Sequence, residues 1–298
     1  MIETHAAFDL VLAYPQWQGS GRSQHLPRGA RAAAEVCAAY GPVAEVPLST
    51  RQGDGEGVRR WEPIFDQFRS AQALLAQHRP RRLLTAGGDC AVDVAAIDWL
   101  AGIHPALTVI WIDAHLDANT PETSPSGSFH GMPVSAILGN APAPMRALMG
   151  RPLDPSRFRY AGIRVGDAGD WAFRDANGLT TLDNEAPVTG PVHVHFDLDV
   201  LEPTEFPHLA YREPGGLSID AATALVARIA REGEVVGFTV TEFAPADDED
   251  QHALEAAGEV LGLVVAVGMV LVGRHRGHRD HGQREHRTGQ VDQRFERV

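Results

Sequence analysis

The sequence predicts an α/β fold, three layers deep (α/β/α) around a mostly parallel central sheet. Three observations predict it. Short apolar runs bounded by Gly, Pro or Asp recur along the chain, most are continuous rather than alternating, and Ala- and Arg-rich stretches with helical spacing separate them. Continuous apolar runs are what strands buried on both faces look like, and strand–helix–strand order covers a parallel sheet with helices. The strand candidates, in order, are Phe8–Pro15, Val43–Leu48, Arg82–Ala86, Thr108–Asp113, Phe158–Ile163, Val192–Asp197 and Val235–Val240. The helix candidates are Arg31–Ala39, Phe65–Gln77, Val92–Leu100, Ile219–Arg231 and Gln251–Leu261. No Pro/Ser-rich linker and no fixed-period repeat interrupts them, so residues 1–272 are expected to form a single domain. Val260–Val272 is nearly all apolar but shorter than the about 20 residues a bilayer span needs, which predicts a buried last helix or strand. Residues 273–298 hold seven arginines and four histidines with almost nothing apolar, the composition of a disordered, solvated tail.

Composition narrows the function. The 298-residue chain carries a formal charge of −13, with 39 acids against 26 cations, which argues against nucleic acid as a partner. Every cation is arginine, because the chain contains no lysine. That excludes Schiff-base lysine chemistry and a Walker-type phosphate lysine. Two cysteines, Cys37 and Cys90, cannot build a disulfide framework, and the opening MIETHAAFDL is not a basic-then-apolar leader. A cytoplasmic protein that acts on a small molecule, away from membranes, is expected.

The densest chemical signal is Trp111–Ile–Asp113–Ala–His115–Leu–Asp117. Asp113, His115 and Asp117 recur every second residue at the end of an apolar run, and a strand's period places them on one side. A second run, His193–Val–His195–Phe–Asp197–Leu–Asp199, repeats the arrangement with Asp197 and Asp199. Burying these acids together is costly unless something positive sits among them. Four carboxylates match two divalent cations, and oxygen-rich sites with an imidazole suit Mn²⁺. The bland alternative is a set of helix caps and turn residues, but two such clusters, each ending an apolar strand, argue against it.

Five motifs in order carry a resemblance to the arginase/agmatinase (ureohydrolase) family: Gly87–Gly88–Asp89, Asp113–Ala–His115–Leu–Asp117, His130–Gly131–Met132–Pro133, Phe196–Asp197–Leu198–Asp199 and Thr241–Glu242–Phe243–Ala244–Pro245. The resemblance extends over roughly residues 8–270. The resemblance implies a C–N hydrolase acting on linear amidines, with Asp113, His115, Asp117, Asp197 and Asp199 holding a binuclear manganese centre whose bridging hydroxide attacks a guanidinium carbon. It implies His130 as the proton shuttle to the leaving amine, and Glu242 as the carboxylate that pairs with the guanidinium. The loop from Asn119 to His130 is similar to the arginase branch. Asn119, Ser124 and Ser126 would grip a substrate α-carboxylate there, and Asp167 would face the α-ammonium. L-Arginine is therefore the expected substrate; agmatine, guanidinobutyrate and formiminoglutamate are the alternatives. The resemblance also implies a homo-oligomer, a trimer or hexamer.

One departure matters. Most of the family has histidine, a ligand of the more exposed metal, where this chain has Cys90. A thiolate is a soft ligand and Mn²⁺ a hard ion. Cys90 could still ligate with altered metal preference, the site could be vacant, or the chain could be a non-catalytic relative. Retention of His130, Glu242 and five ligand positions favours catalysis. Glu202 stands where the family usually has aspartate before proline, an expected adjustment of geometry only.

Overall fold

The structure, a computed structural model, describes residues 7–21, 25–183 and 187–245. The expected helix Gln251–Leu261, the apolar run Val260–Val272 and the Arg/His-rich tail lie outside the described residues. Eight parallel strands form one sheet: β1 (Leu10–Tyr14), β2 (Val43–Glu45), β3 (Leu83–Gly87), β4 (Thr108–Ile112), β5 (Phe158–Ala161), β6 (Thr180–Thr181), β7 (Pro191–Asp197) and β8 (Glu234–Thr241). Their order across the sheet is β2-β1-β3-β8-β7-β4-β5-β6. All seven expected strands form. β6 is an exposed two-residue edge with no apolar run to announce it.

The longer helices are α1 (Leu26–Cys37), α2 (Trp61–His78), α3 (Asp93–Ile103), α6 (Ala168–Ala176) and α7 (Ile219–Glu232); α4 (Pro133–Ser135) and α5 (Ala143–Arg146) are single turns. No described helix is long and apolar enough to cross a membrane. Two hydrophobic cores, one on each face of the sheet, show why the strands read as continuous apolar runs. Leu10, Leu12, Val109 and Trp111 point to the face covered by α2 and α3, with Phe68, Leu75, Ile97 and Leu100. Val11, Ala13, Ile110, Ile112, Val194 and Phe196 point to the face covered by α1 and α7, with Ala33, Val226 and Ile229. This is the expected three-layer arrangement, and the two-residue strand period decides which core each side chain joins.

The chain crosses itself closely where β3 ends. The Gly88 N–H donates to the Tyr14 carbonyl at 2.9 Å, and its own carbonyl accepts from the Glu242 N–H at 2.8 Å. A Cβ at Gly88 would lie 1.8 Å from the Gln16 carbonyl oxygen, so a side chain there has to push backbone aside. Gly88→Ala is expected to lower thermal stability by about 2–12 °C, from an overpacking cost of about 1–3 kcal/mol. A melting curve unchanged from the parent would show that the loop yields freely.

Candidate active site

The central strands β3, β8, β7 and β4 lie side by side, and each hands an acid or a thiol to the same end of the sheet. Ligands of open α/β sheets bind beyond the carboxyl ends of strands, which is where these groups gather. Cys90 follows β3, Asp113 follows β4, Asp197 ends β7, and Glu242 follows β8. All four are buried.

The strand period carries the signal only part of the way. β4 stops at Ile112, so Asp113, His115 and Asp117 lie on the loop that follows rather than on an extended strand. Asp199 likewise sits in a 3-10 turn after β7. Backbone bending brings the acids together: Asp117 has φ +49°, a left-handed conformation that Asp tolerates, and Glu242 φ +62°, where a longer side chain is uncommon. Such conformations cluster at functional sites, where the surrounding structure holds them in place.

Two groups of metal-ligating atoms result, each with its atoms within 4.8 Å of one another: Cys90, Asp113, His195 and Asp197 form one, and Asp113, His115 and Asp199 the other. Asp113 belongs to both. The His115 Nδ1 lies 2.9 Å from Asp199 Oδ2 and 3.6 Å from Asp113 Oδ1, and its Nε2 lies 3.8 Å from Glu213 Oε1. The Cys90 thiol donates to Asp197 Oδ2 at 2.7 Å. Asp117 is buried beside these groups with its Oδ2 unpartnered, but it is a member of neither.

Charge is unbalanced here. Burial first, and then neighbouring acids, push Asp117, Asp197, Asp199 and Glu242 above the usual carboxylate range. Burial first, and then Asp197, Asp117, Glu242 and Asp113, raise the Cys90 thiol. Burial alone would lower His115, but Asp199 and Asp113 outweigh it and hold the imidazole protonated far above its ordinary range. Among the described residues no arginine side chain bonds to any of these carboxylates. Both Glu242 oxygens and the His195 Nε2 are buried without partners. Orphaned acceptors, crowded carboxylates and a convergent O/N/S donor set fit divalent cations.

A cavity of about 330 Å³ opens onto this centre. His115, Asp117, Asn119, Ser124, Ser126, His130 and Asp167 all line it, with Arg59, Arg60 and Tyr211. Asn119 Nδ2 donates to Asp167 Oδ2 at 3.0 Å, and Asp167 Oδ1 accepts the Gly169 and Asp170 N–H groups that begin α6. Ser124 Oγ and Ser126 Oγ accept from the Gly127 and Ser128 N–H groups, so the loop braces its own hydroxyls. His130 Nδ1 lies 3.8 Å from Glu242 Oε1, and its ring stacks on Tyr211 at 5.2 Å between centroids. Burial shifts His130 below its ordinary value. Glu202 Oε2 accepts from the Gly215 and Gly216 N–H groups and so ties down the segment that carries Tyr211 and Glu213.

Two further residues, His195 and Asp93, join the site. His195 lies two positions before Asp197 on the same strand, so the period-two argument applied to it equally. Its partner Asp93 opens α3 among apolar residues, a buried charge that called for an explanation.

Comparisons with known proteins agree with this geometry. The arginase-family sequence profile matches residues 41–266. The chain is 27% identical over 241 residues to an arginase of Staphylococcus aureus, covering 74% of this chain and 80% of that one. Its fold is similar to that of an Entamoeba histolytica arginase solved with L-ornithine, at a TM-score of 0.72 and 19% identity, over 86% of this chain and 97% of that one. It is equally similar to the Bacillus caldovelox arginase, at a TM-score of 0.72 and 22% identity, with the same coverage. With the profile spanning most of the chain and the acids gathered where the sheet ends, this chain belongs to the arginase family.

Proposed function

We propose that the protein hydrolyses the guanidino group of L-arginine to ornithine and urea. The observation that carries this reading is a cluster of buried acids, without an arginine partner among the described residues, beneath a cavity lined by Asn119, Ser124, Ser126, His130 and Asp167. Asp113, His115 and Asp199 would hold Mn²⁺, and Cys90, Asp113 and Asp197 a second divalent ion, with Asp117 beside them. When bound, the ions supply the positive charge that lets a water ionise to hydroxide near neutral pH.

The chain's own residues do the rest. Glu242 presents two unpartnered oxygens, which suits the planar fork of a guanidinium and gives the buried carboxylate its counter-charge. His130, neutral because burial lowers it, is free to pick up a proton and pass it to the leaving amine. Asp167, held by Asn119 and by its capping of α6, faces the substrate ammonium. Asn119, Ser124 and Ser126 offer neutral donors to the carboxylate, and Arg59 and Arg60 line the same cavity with positive charge. The same reading makes residues 1–272 one catalytic domain of a cytoplasmic homo-oligomer, a trimer or hexamer.

Protein supplied with Mn²⁺ is expected to release urea from arginine and much less from agmatine, which lacks the carboxylate. No urea from arginine with Mn²⁺, Co²⁺ or Zn²⁺ would overturn the reading, and turnover of agmatine with arginine inert would move the substrate. Asp167→Asn keeps the cap but removes the charge facing the ammonium. It is expected to lower kcat/KM for arginine about 10- to 100-fold, the size of a lost charge-assisted hydrogen bond. Any residual turnover of a substrate without the ammonium should stay unchanged.

A further inference from the structure

Beside the acid cluster lies a buried polar network that the proposed reaction leaves unused. On β7, His193 and His195 face α3, and both bond to the same oxygen: His193 Nε2 and His195 Nδ1 each lie 2.8 Å from Asp93 Oδ2. The other Asp93 oxygen accepts the Thr239 hydroxyl at 2.7 Å. All four residues are fully buried. The His195 ring also lies flat on Trp111, with centroids 3.4 Å apart and planes within 5°. Stacking fixes the ring plane, and Asp93 fixes which nitrogen faces inward.

The outward nitrogen is the informative one. His195 Nε2 is buried and has no hydrogen-bond partner. The nearest carboxylate oxygen, Asp113 Oδ2, is 4.0 Å away and already accepts the Trp111 indole N–H at 2.9 Å. That distance is too long for a hydrogen bond, and a buried nitrogen left without a partner is destabilising. Yet His195 converges with Cys90 Sγ and with oxygens of Asp113 and Asp197 inside 4.8 Å, and with Nδ1 turned to Asp93 the nitrogen on the Asp113 side is Nε2. Ligands at about 2.0–2.3 Å from a tetrahedral ion lie about 3.3–3.8 Å apart, so a small inward movement closes the set. A histidine that ligates metal with one nitrogen and meets a carboxylate with the other is the usual way such a ring is oriented.

We propose that His195 Nε2 is the nitrogen ligand of the Cys90-side ion, that Asp93 is its positioning residue, and that the resulting Cys90–Asp113–His195–Asp197 site selects Zn²⁺ over Mn²⁺. The imidazole that position 90 lacks is supplied from the neighbouring strand. One sulfur, one nitrogen and two carboxylates form a borderline donor set that suits zinc, whereas the Asp113–His115–Asp199 group keeps the harder set that suits manganese. Binding releases the Cys90 thiol proton, now shared with Asp197, to solvent. The proposal rests on the reading that the acid cluster holds divalent ions.

The test uses Co²⁺ as a spectroscopic substitute for zinc. Metal-free protein titrated with Co²⁺ is expected to develop intense tetrahedral visible bands and a thiolate-to-cobalt charge-transfer band at one equivalent. Zn²⁺ should displace that cobalt stoichiometrically and Mn²⁺ in excess should not. His195→Ala should weaken Zn²⁺ binding at least 100-fold, and Asp93→Asn about 10- to 100-fold. Cys90→Ser should abolish the charge-transfer band. Retained Mn²⁺ binding at the His115 group shows that each variant is folded, and should a variant lose it, His195→Gln keeps the packing for the same measurement. Weak octahedral spectra without the thiolate band, or unchanged Zn²⁺ affinity in a folded His195 variant, would overturn the proposal. The two readings fail separately. Urea release with two Mn²⁺ and no zinc preference leaves the hydrolase standing and removes this site. A thiolate–cobalt spectrum without urea from any guanidino compound does the reverse.

Discussion

Asp113→Asn is expected to strip metal from both groups at once and to lower urea release by about three orders of magnitude or more. Asp113 is the residue the two groups share, so its loss removes one ligand from each. Asparagine keeps the volume and one acceptor oxygen, for the His115 N–H now at 2.6 Å, and gives up only the oxygen that accepts the Trp111 indole N–H at 2.9 Å. Folding should therefore survive while charge is lost. Charge stabilisation by a bound ion is worth several kcal/mol in hydrolytic transition states, which sets the expected fall. Substitutions elsewhere should split the effect. Asp199→Asn touches only the His115 group, and Cys90→Ser only the other. Metal content by elemental analysis, measured with urea release on the same samples, separates the three. Two equivalents of metal retained by Asp113→Asn would show that the ions, if bound, sit elsewhere.

Much of this centre was legible because buried charge is rare and strand ends are visible in sequence. Asp113 and Asp197 each follow an apolar run without a break, and the structure places them at the ends of β4 and β7, which pair directly. The period-two argument failed beyond Ile112 for a physical reason: once a strand ends, a residue such as Asp117 at φ +49° points where its turn sends it. His195 was hidden by its neighbours. It sits between Val194 and Phe196 in a strand that reads as core, and its orientation depends on Asp93, 102 residues earlier in the chain. Pairings of that span leave no local pattern. α6 had a readable start, since Asp167 and Asp170 form a reciprocal cap three residues apart, but its nine residues are too few for an apolar period to stand out. Conversely, the hydroxyls of the loop from Asn119 to Ser126 are plain in the sequence, and the structure places them on the cavity wall while using them to brace the turn.

The stability of the metal-free protein is expected to fall steadily as pH rises from 5 to 8, and that of the metal-loaded protein is not. Burial and mutual repulsion raise Asp117, Asp197, Asp199 and Glu242 in the folded chain, and Asp199 and Asp113 raise His115. A group raised on folding binds more protons folded than unfolded, so stability drops with pH in that window. The carboxylates contribute from about pH 4 upward, and His115 adds the same sign above about 6.5, where the unfolded imidazole deprotonates. Asp113 is lowered, mainly because His115 overcomes its burial, but it acts only below the usual carboxylate range, and His130, lowered by burial, opposes the trend below about 6.5 as one group against five. Each retained proton tilts the balance by about 1.4 kcal/mol per pH unit, or about 3–6 °C in Tm for a chain of this size. Divalent ions replace those protons with fixed positive charge, so the gap in Tm between loaded and chelated protein should widen as pH increases. Melting curves with and without chelator across that range measure the gap directly. A chelated protein that grows more stable toward pH 8 would mean that the acids are ionised and already balanced by cations from the chain, leaving no electrostatic reason for metal.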